Sequence, residues 1–167
     1  MRKNVFILCC LGMVILLNHS AFSQKITIEK SYPEAFLRAY DNYVNKNYAA
    51  SFEQFSALVE QTPQDREELL QDIMFYRASS AYEMMNKDAD ALLCEFISLC
   101  PQSSHCNEAY FLLANFYARG ERYDQAIEVY SKMNVAILNQ DDKFEYYYKR
   151  GHCLFMLNRY DEALEEF

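Results

Sequence analysis

Small residues recur along the chain at a constant separation. Four pairs lie twelve residues apart, namely Ala39 and Ser51, Ser79 and Ala91, Ala114 and Ala126, and Gly151 and Ala163. The first members of successive pairs are 40, 35 and 37 residues apart. Large apolar residues, many of them aromatic, surround each pair at the three- and four-residue intervals of a helix. Because two helices approach closely only where side chains are small, this pattern predicts four helical hairpins.

The same periodicity predicts eight helices. Their expected ranges are 33–46, 48–61, 65–86, 88–99, 105–118, 123–136, 142–157 and 160–167. Ser31 and Glu34 form a capping-box pattern at the start of the first, and Gly120 is expected to close the fifth. The second hairpin departs from the register at one place, where Phe96 rather than Glu95 is apolar. A single hairpin cannot bury its own apolar face, so we expect neighbouring hairpins to stack.

The third and fourth hairpins carry a resemblance to a known family. The third reads EAYFLLANFYARGERYDQAIEVYSKM and the fourth contains YYYKRGHCLFMLNRYDEALEEF. Both resemble the tetratricopeptide repeat, and LCPQSSHCNEAYFLLA resembles the join between repeats in exported, envelope-type members from bacteria. The resemblance covers about Ser31 to Phe167. It implies an all-α fold, a right-handed α-solenoid of helix-turn-helix units.

The expected units are 33–63, 64–101, 105–138 and 142–167. The last of these stops in the middle of its second helix, so we expect the sequence to be the N-terminal part of a longer protein. The alternative is a natural chain whose last helix is short.

The first 23 residues have the features of a signal peptide. Arg2 and Lys3 precede an apolar run of 13 residues from Val5 to Leu17, which is too short to span a bilayer. We expect cleavage after Ser23, followed by a short lead at 24–32. An uncleaved anchor or a buried helix is the alternative. A lipid anchor is not expected, because Leu8 rather than a small residue precedes Cys9. The protein is therefore predicted to be exported, either periplasmic or associated with the envelope.

Charge and motifs narrow the function. The chain has 16 basic and 24 acidic residues and a net charge of −8. It has no basic stripe to neutralise phosphates, so we expect no nucleic-acid partner. It lacks a Gly-rich phosphate loop, a nucleophile elbow and an H-E-x-x-H motif, so we expect no catalysis and no cofactor. The neighbours His105-Cys106 and His152-Cys153 point about 100° apart on a helix, which does not favour a metal site. We therefore expect the chain to bind protein or peptide partners, in an outer-membrane or periplasmic complex.

Four cysteines follow the predicted cleavage site, namely Cys94, Cys100, Cys106 and Cys153. Export permits disulfides. Cys100 and Cys106 flank the turn around Pro101 and are the candidate pair, while buried free thiols are the alternative.

The resemblance also implies a binding surface. In this family the first helix of each unit lines an inner, concave face that holds extended or helical peptides. Carried onto this chain, the candidates are Tyr76, Ser80, Phe111, Asn115, Arg119, Tyr148, His152 and Met156. The alternative is that Tyr76, Phe111 and Tyr148 pack between units.

The paired Lys and Asn residues that clamp a C-terminal carboxylate elsewhere in the family are missing.

Two functions follow from the resemblance. One is an exported protein-binding scaffold, and the other is the non-catalytic N-terminal repeat region of a larger envelope enzyme or glycan-handling protein.

Overall fold

The computed structural model describes residues 32–167, and within this range the chain forms α-helices and no strand. The helices are α1 (Glu34–Val44), α2 (Tyr48–Gln61), α3 (Glu67–Glu83), α4 (Ala89–Leu99), α5 (Cys106–Arg119), α6 (Tyr123–Tyr130), α7 (Gln140–Met156) and α8 (Tyr160–Glu166). A 3-10 turn, Val135–Ile137, lies between α6 and α7. The predicted signal peptide 1–23, the lead up to residue 31 and the capping residue Ser31 lie outside the described residues.

Contacts divide the chain into two compact units, one ending at Arg38 and the other comprising Ala39–Phe167. In the first unit, the Tyr32 ring stacks on Phe36 with centroids 4.3 Å apart, and Arg38 pairs with Glu34 one helical turn earlier. The helix caps and small-residue contacts described below lie within the second unit.

The first helix of every hairpin ends in the same way. The second residue after each of these helices has a left-handed backbone, and these residues are Lys46, Met85, Glu121 and Asn158, with φ between 55° and 61°. The amide that follows each one donates to the carbonyl five residues earlier, at 2.8 to 3.0 Å. This is the Schellman arrangement, which satisfies carbonyls at the end of a helix. Gly120 does cap α5, but its φ is −85°, so the left-handed position is occupied by Glu121.

This shared cap sets the register of the repeat. A buried small residue lies seven positions before each left-handed residue, and the four are Ala39, Ala78, Ala114 and Gly151. Their counterparts on the second helices are Ser51, Ala89, Ala126 and Ala163, each at most 2% exposed.

The predicted pair Ser79 and Ala91 is therefore wrong, because Ala91 is exposed. The cause is local. In the turn between α3 and α4, Asn86 accepts from the amides of Asp88 and Ala89, and the buried small residues on either side, Ala78 and Ala89, are eleven residues apart instead of twelve.

Large side chains fill the layers between helices. Phe55, Phe75, Phe96 and Tyr130 are at most 1% exposed, and burying each stabilises the fold by roughly 1.5–3 kcal/mol. From α2 onwards each helix packs against the next, and the first helices α3, α5 and α7 also contact one another in sequence. The fold is all-α, as expected, and consistent with an α-solenoid. None of the helices within residues 32–167 is long and apolar enough to cross a bilayer.

The largest difference from the predicted helices is at α6, which ends at Tyr130 rather than near residue 136. Asn107 on α5 explains it, since its Oδ1 accepts from the amide of Asn134 at 2.7 Å. The Asn134 side chain in turn accepts from the amide of Ala136 at 3.2 Å. These bonds replace the helical ones and start the 3-10 turn.

Candidate partner-binding groove

The first helices of the third and fourth hairpins, α5 and α7, enclose an open cleft of about 360 Å³. Its lining residues are Asn115, Ala118, Arg119, Tyr130, Tyr148, Lys149, His152 and Cys153. Four of the predicted binding residues, Asn115, Arg119, Tyr148 and His152, are thus brought together. They meet because positions four residues apart lie on one face of a helix.

Asn115 is held in one orientation by a buried tyrosine. It is 5% exposed, and its Oδ1 accepts from the Tyr130 hydroxyl at 2.6 Å. Burial raises the pKa of Tyr130, so this hydroxyl stays protonated and remains a donor. The Asn115 amide nitrogen has no acceptor within residues 32–167, although the residue lines the cleft. This nitrogen is not among the fully buried, unpartnered atoms of the described residues, so it is open to the cleft and can donate to a carbonyl or carboxylate oxygen of a ligand.

Arg119 supplies a positive charge to the same cleft. Its guanidinium lies 4.5 Å from the ring centroid of Tyr82, which comes from α3 in the preceding hairpin. No carboxylate of the described chain pairs with Arg119. Burial raises the pKa of Tyr82 while the nearby Arg119 opposes that rise, so the ring remains a neutral cation–π partner. The cation is therefore positioned without being neutralised.

Lys149 is a lining residue that the sequence argument missed. Its Nζ lies 2.8 Å from Glu145 Oε1 and 4.9 Å from the ring centroid of Phe111 on α5. The spacing of Glu145 and Lys149, one helical turn apart and beside Tyr148, was the signal that could have identified it.

A second cleft of about 470 Å³ continues along the same two helices. Its lining residues are Ser104, Asn107, Glu108, Phe111, Met133, Ile137, Leu138, Asp142 and Glu145. Phe111, a predicted binding residue, lies here. Asp142 is fixed at the start of α7, since its amide donates to Asn139 Oδ1 and its carboxylate accepts from Asn139 Nδ2. We call the two clefts together the α5–α7 groove.

The second hairpin does not contribute as predicted. Ser80 is fully buried and donates to Ser51 Oγ at 3.0 Å, so it lies on no accessible surface. Tyr76 is half-buried, with ring centroids 5.1 Å from Tyr43 and 5.7 Å from Phe55. The one-residue shift of register described above turns both toward the preceding hairpin. Met156 is 45% exposed but lines neither cleft.

His105 links α3 to the start of α5 instead of forming part of the groove. Its ring stacks on Phe75 at 4.2 Å, with Nε2 3.2 Å from Asp72 Oδ1 and Nδ1 3.9 Å from Glu108 Oε2. Burial lowers the pKa of His105, but the hydrogen bonds to the two carboxylates outweigh it and raise the pKa to about 9. His105 is therefore an imidazolium at neutral pH.

The four described cysteines are free thiols, including the candidate pair Cys100 and Cys106. Cys94 is exposed, whereas Cys153 is fully buried at the floor of the groove. Burial raises the pKa of Cys153 to about 11 and also raises the pKa values of Cys100 and Cys106. All three thiols are therefore protonated and weakly nucleophilic near neutral pH.

Comparison with protein families bears on the hairpin that forms one wall of this groove. Residues 102–134 match the family model of the tetratricopeptide repeat. The match spans α5 and α6 and supports the family expected from the sequence. No curated protein matches the chain. The hairpin that matches this model thus supplies Phe111, Asn115 and Arg119 to the groove.

Proposed function

We propose that this chain is a non-catalytic scaffold that binds protein partners through the α5–α7 groove. Tetratricopeptide repeats generally mediate protein–protein interactions, and the matched hairpin forms one side of the groove. The observation that carries the proposal is Asn115, whose side chain is nearly buried, lines the groove, and has no acceptor for its amide nitrogen within residues 32–167. A peptide backbone supplies such an acceptor at every residue.

The groove has the mixed chemistry that peptide recognition needs. Tyr148 is 55% exposed and offers a large aromatic surface. Tyrosine is enriched among the hot-spot residues that contribute most of the binding energy in protein interfaces. Arg119 and Lys149 add charge at fixed places, and charges of this kind give specificity more than affinity.

We also propose export to the periplasm or envelope, supported by the signal-peptide pattern of residues 1–23. Cell fractionation with an antibody against residues 24–167 tests it. The antigen should be found in the envelope or periplasmic fraction and lack its first 23 residues by N-terminal sequencing. Recovery from the cytoplasm with residue 1 intact would refute export.

The binding role is tested by site-specific photo-crosslinking in living cells. A benzoylphenylalanine replaces Tyr148 in the groove in one variant and Leu99 in another. Leu99 is 64% exposed on α4, which lines neither cleft. We expect a discrete protein adduct from position 148 and none from position 99. Equal labelling at both positions, or none at either, would show that the groove is not the binding surface.

A further inference from the structure

The two ends of the α5–α7 groove carry opposite charge, and we propose that this selects its peptide. The occupant is an extended segment with an acidic side chain near Arg119 and a basic side chain near Asp142. The inference rests on the proposed binding function and specifies the partner's chemistry. It is drawn from the charges and contacts of the described residues.

The two clefts are parts of one surface. On α5, Glu108, Phe111, Asn115 and Arg119 follow one another at three- and four-residue steps, so they lie on one face of the helix. On α7, Asp142, Glu145, Lys149 and His152 do the same. The Lys149 ammonium above the Phe111 ring joins the clefts, because Phe111 lines one of them and Lys149 the other.

The positive end lies toward the C-terminal ends of α5 and α7. Arg119 has no ion pair within the described range, and it stays in place through the Tyr82 ring. The free amide nitrogen of Asn115 lines the same cleft, as does the exposed imidazole of His152. These groups donate hydrogen bonds, which suits a carboxylate. A positive end of this kind is distinctive in a chain with a net charge of −8.

The negative end lies toward the N-terminal ends of the same helices. Glu108, Asp142 and Glu145 line it, and no lysine or arginine is among its lining residues. Glu145 is paired with Lys149 and Glu108 lies 3.9 Å from His105, but Asp142 has no cationic partner in the described part of the chain. A lysine or arginine of the occupant would balance Asp142, as an acidic residue would balance Arg119.

The length of the groove sets the spacing of the two charges. Asp142 and His152 are ten residues apart on α7, which corresponds to about 15 Å along the axis at ~1.5 Å per residue. An extended peptide advances about 3.3 Å per residue, so the acidic and basic residues should be roughly four or five positions apart. An extended segment is favoured over a helix because its carbonyls are open to Asn115 at every residue, whereas most helical carbonyls already accept an internal hydrogen bond.

The test begins with selection of random displayed peptides on the intact chain. The best peptide is synthesised in two forms, as selected and with its acidic and basic residues exchanged, and binding is measured by fluorescence anisotropy. We expect the exchanged form to bind about tenfold more weakly or worse. Arg119→Glu should weaken the selected form by a similar factor, and Arg119→Glu combined with Asp142→Lys should favour the exchanged form. Circular dichroism verifies that each variant is folded.

Lys87→Glu is the matched control, since Lys87 is an exposed cation that lines neither cleft and the charge change is identical. The inference is overturned if exchange of the peptide charges has no effect, if Lys87→Glu weakens binding as much as Arg119→Glu, or if the bound peptide is helical. A selection whose peptides do not lose affinity on Tyr148→Ala refutes the groove itself and therefore the proposed function. Peptides that depend on Tyr148 but carry no charge order refute this inference alone.

Discussion

Ala89 and Ala91 lie two residues apart on α4, and a leucine should affect the two positions very differently. Ala89 is fully buried at the place where the second hairpin's helices meet, whereas Ala91 is exposed. A leucine adds three carbon atoms. At Ala89 these atoms have no free space, and overpacking of this kind costs about 1–3 kcal/mol. At Ala91 they project into water, and since Leu is nearly as good a helix former as Ala, the free energy of unfolding should change by less than about 0.5 kcal/mol.

Urea unfolding followed by circular dichroism measures both effects. Ala89→Leu should lower the midpoint at an unchanged slope, and its melting temperature should fall by roughly 3–12 °C. Ala91→Leu should unfold like the wild type. The twelve-residue spacing from Ser79 makes the opposite forecast, with Ala91 at the contact. A variant pair in which Ala91→Leu is the more damaging would therefore refute the structural register and restore the one inferred from sequence.

Three further predictions concern other parts of the structure. Met85→Gly should raise the free energy of unfolding by about 0.5–1 kcal/mol, because Met85 has a φ of 55°. Met84→Gly is the control and should lower the free energy of unfolding, because Met84 has a φ of −77°. The reverse order of the two variants in thermal melts would contradict the cap. His105→Gln should remove the stabilisation that the His105 imidazolium provides. This stabilisation is complete below about pH 6.5, the pKa of an unfolded histidine, and is lost as the pH rises through about 9. The free energies of unfolding of wild type and variant should therefore converge at alkaline pH. A difference that persists unchanged above that range would argue against the ion pairs. Tyr130→Phe should cost about 1–3 kcal/mol by leaving Asn115 Oδ1 without its donor, and a neutral result in chemical denaturation would show that this bond is weak.

The periodicity of the sequence was enough to predict the helices, because burial of small and aromatic residues at helical intervals is a local property. The ends of α2 were predicted without error, and those of α5 and α8 to within one residue. The end of α6 was not, since it depends on Asn107, which lies 27 residues before Asn134. A pairing between residues so far apart leaves no periodic trace in the chain.

The second hairpin shows why the candidate site was predicted only in part. Asn115, Arg119, Tyr148 and His152 line one cleft because their hairpins keep the twelve-residue spacing of the small residues. Ser80 is buried instead, because the small residues at the contact of its hairpin are Ala78 and Ala89, which are eleven residues apart rather than twelve.

The opposite charges of the groove were hidden from the sequence for another reason. They depend on which of many exposed acids and bases line the same space, and that is a property of packing between hairpins. Arg119 illustrates it, since its lack of an ion pair within residues 32–167 and its contact with Tyr82 from another hairpin appear only in three dimensions. The repeat therefore predicts the position of the proposed groove, while the contacts between repeats determine which charges line it.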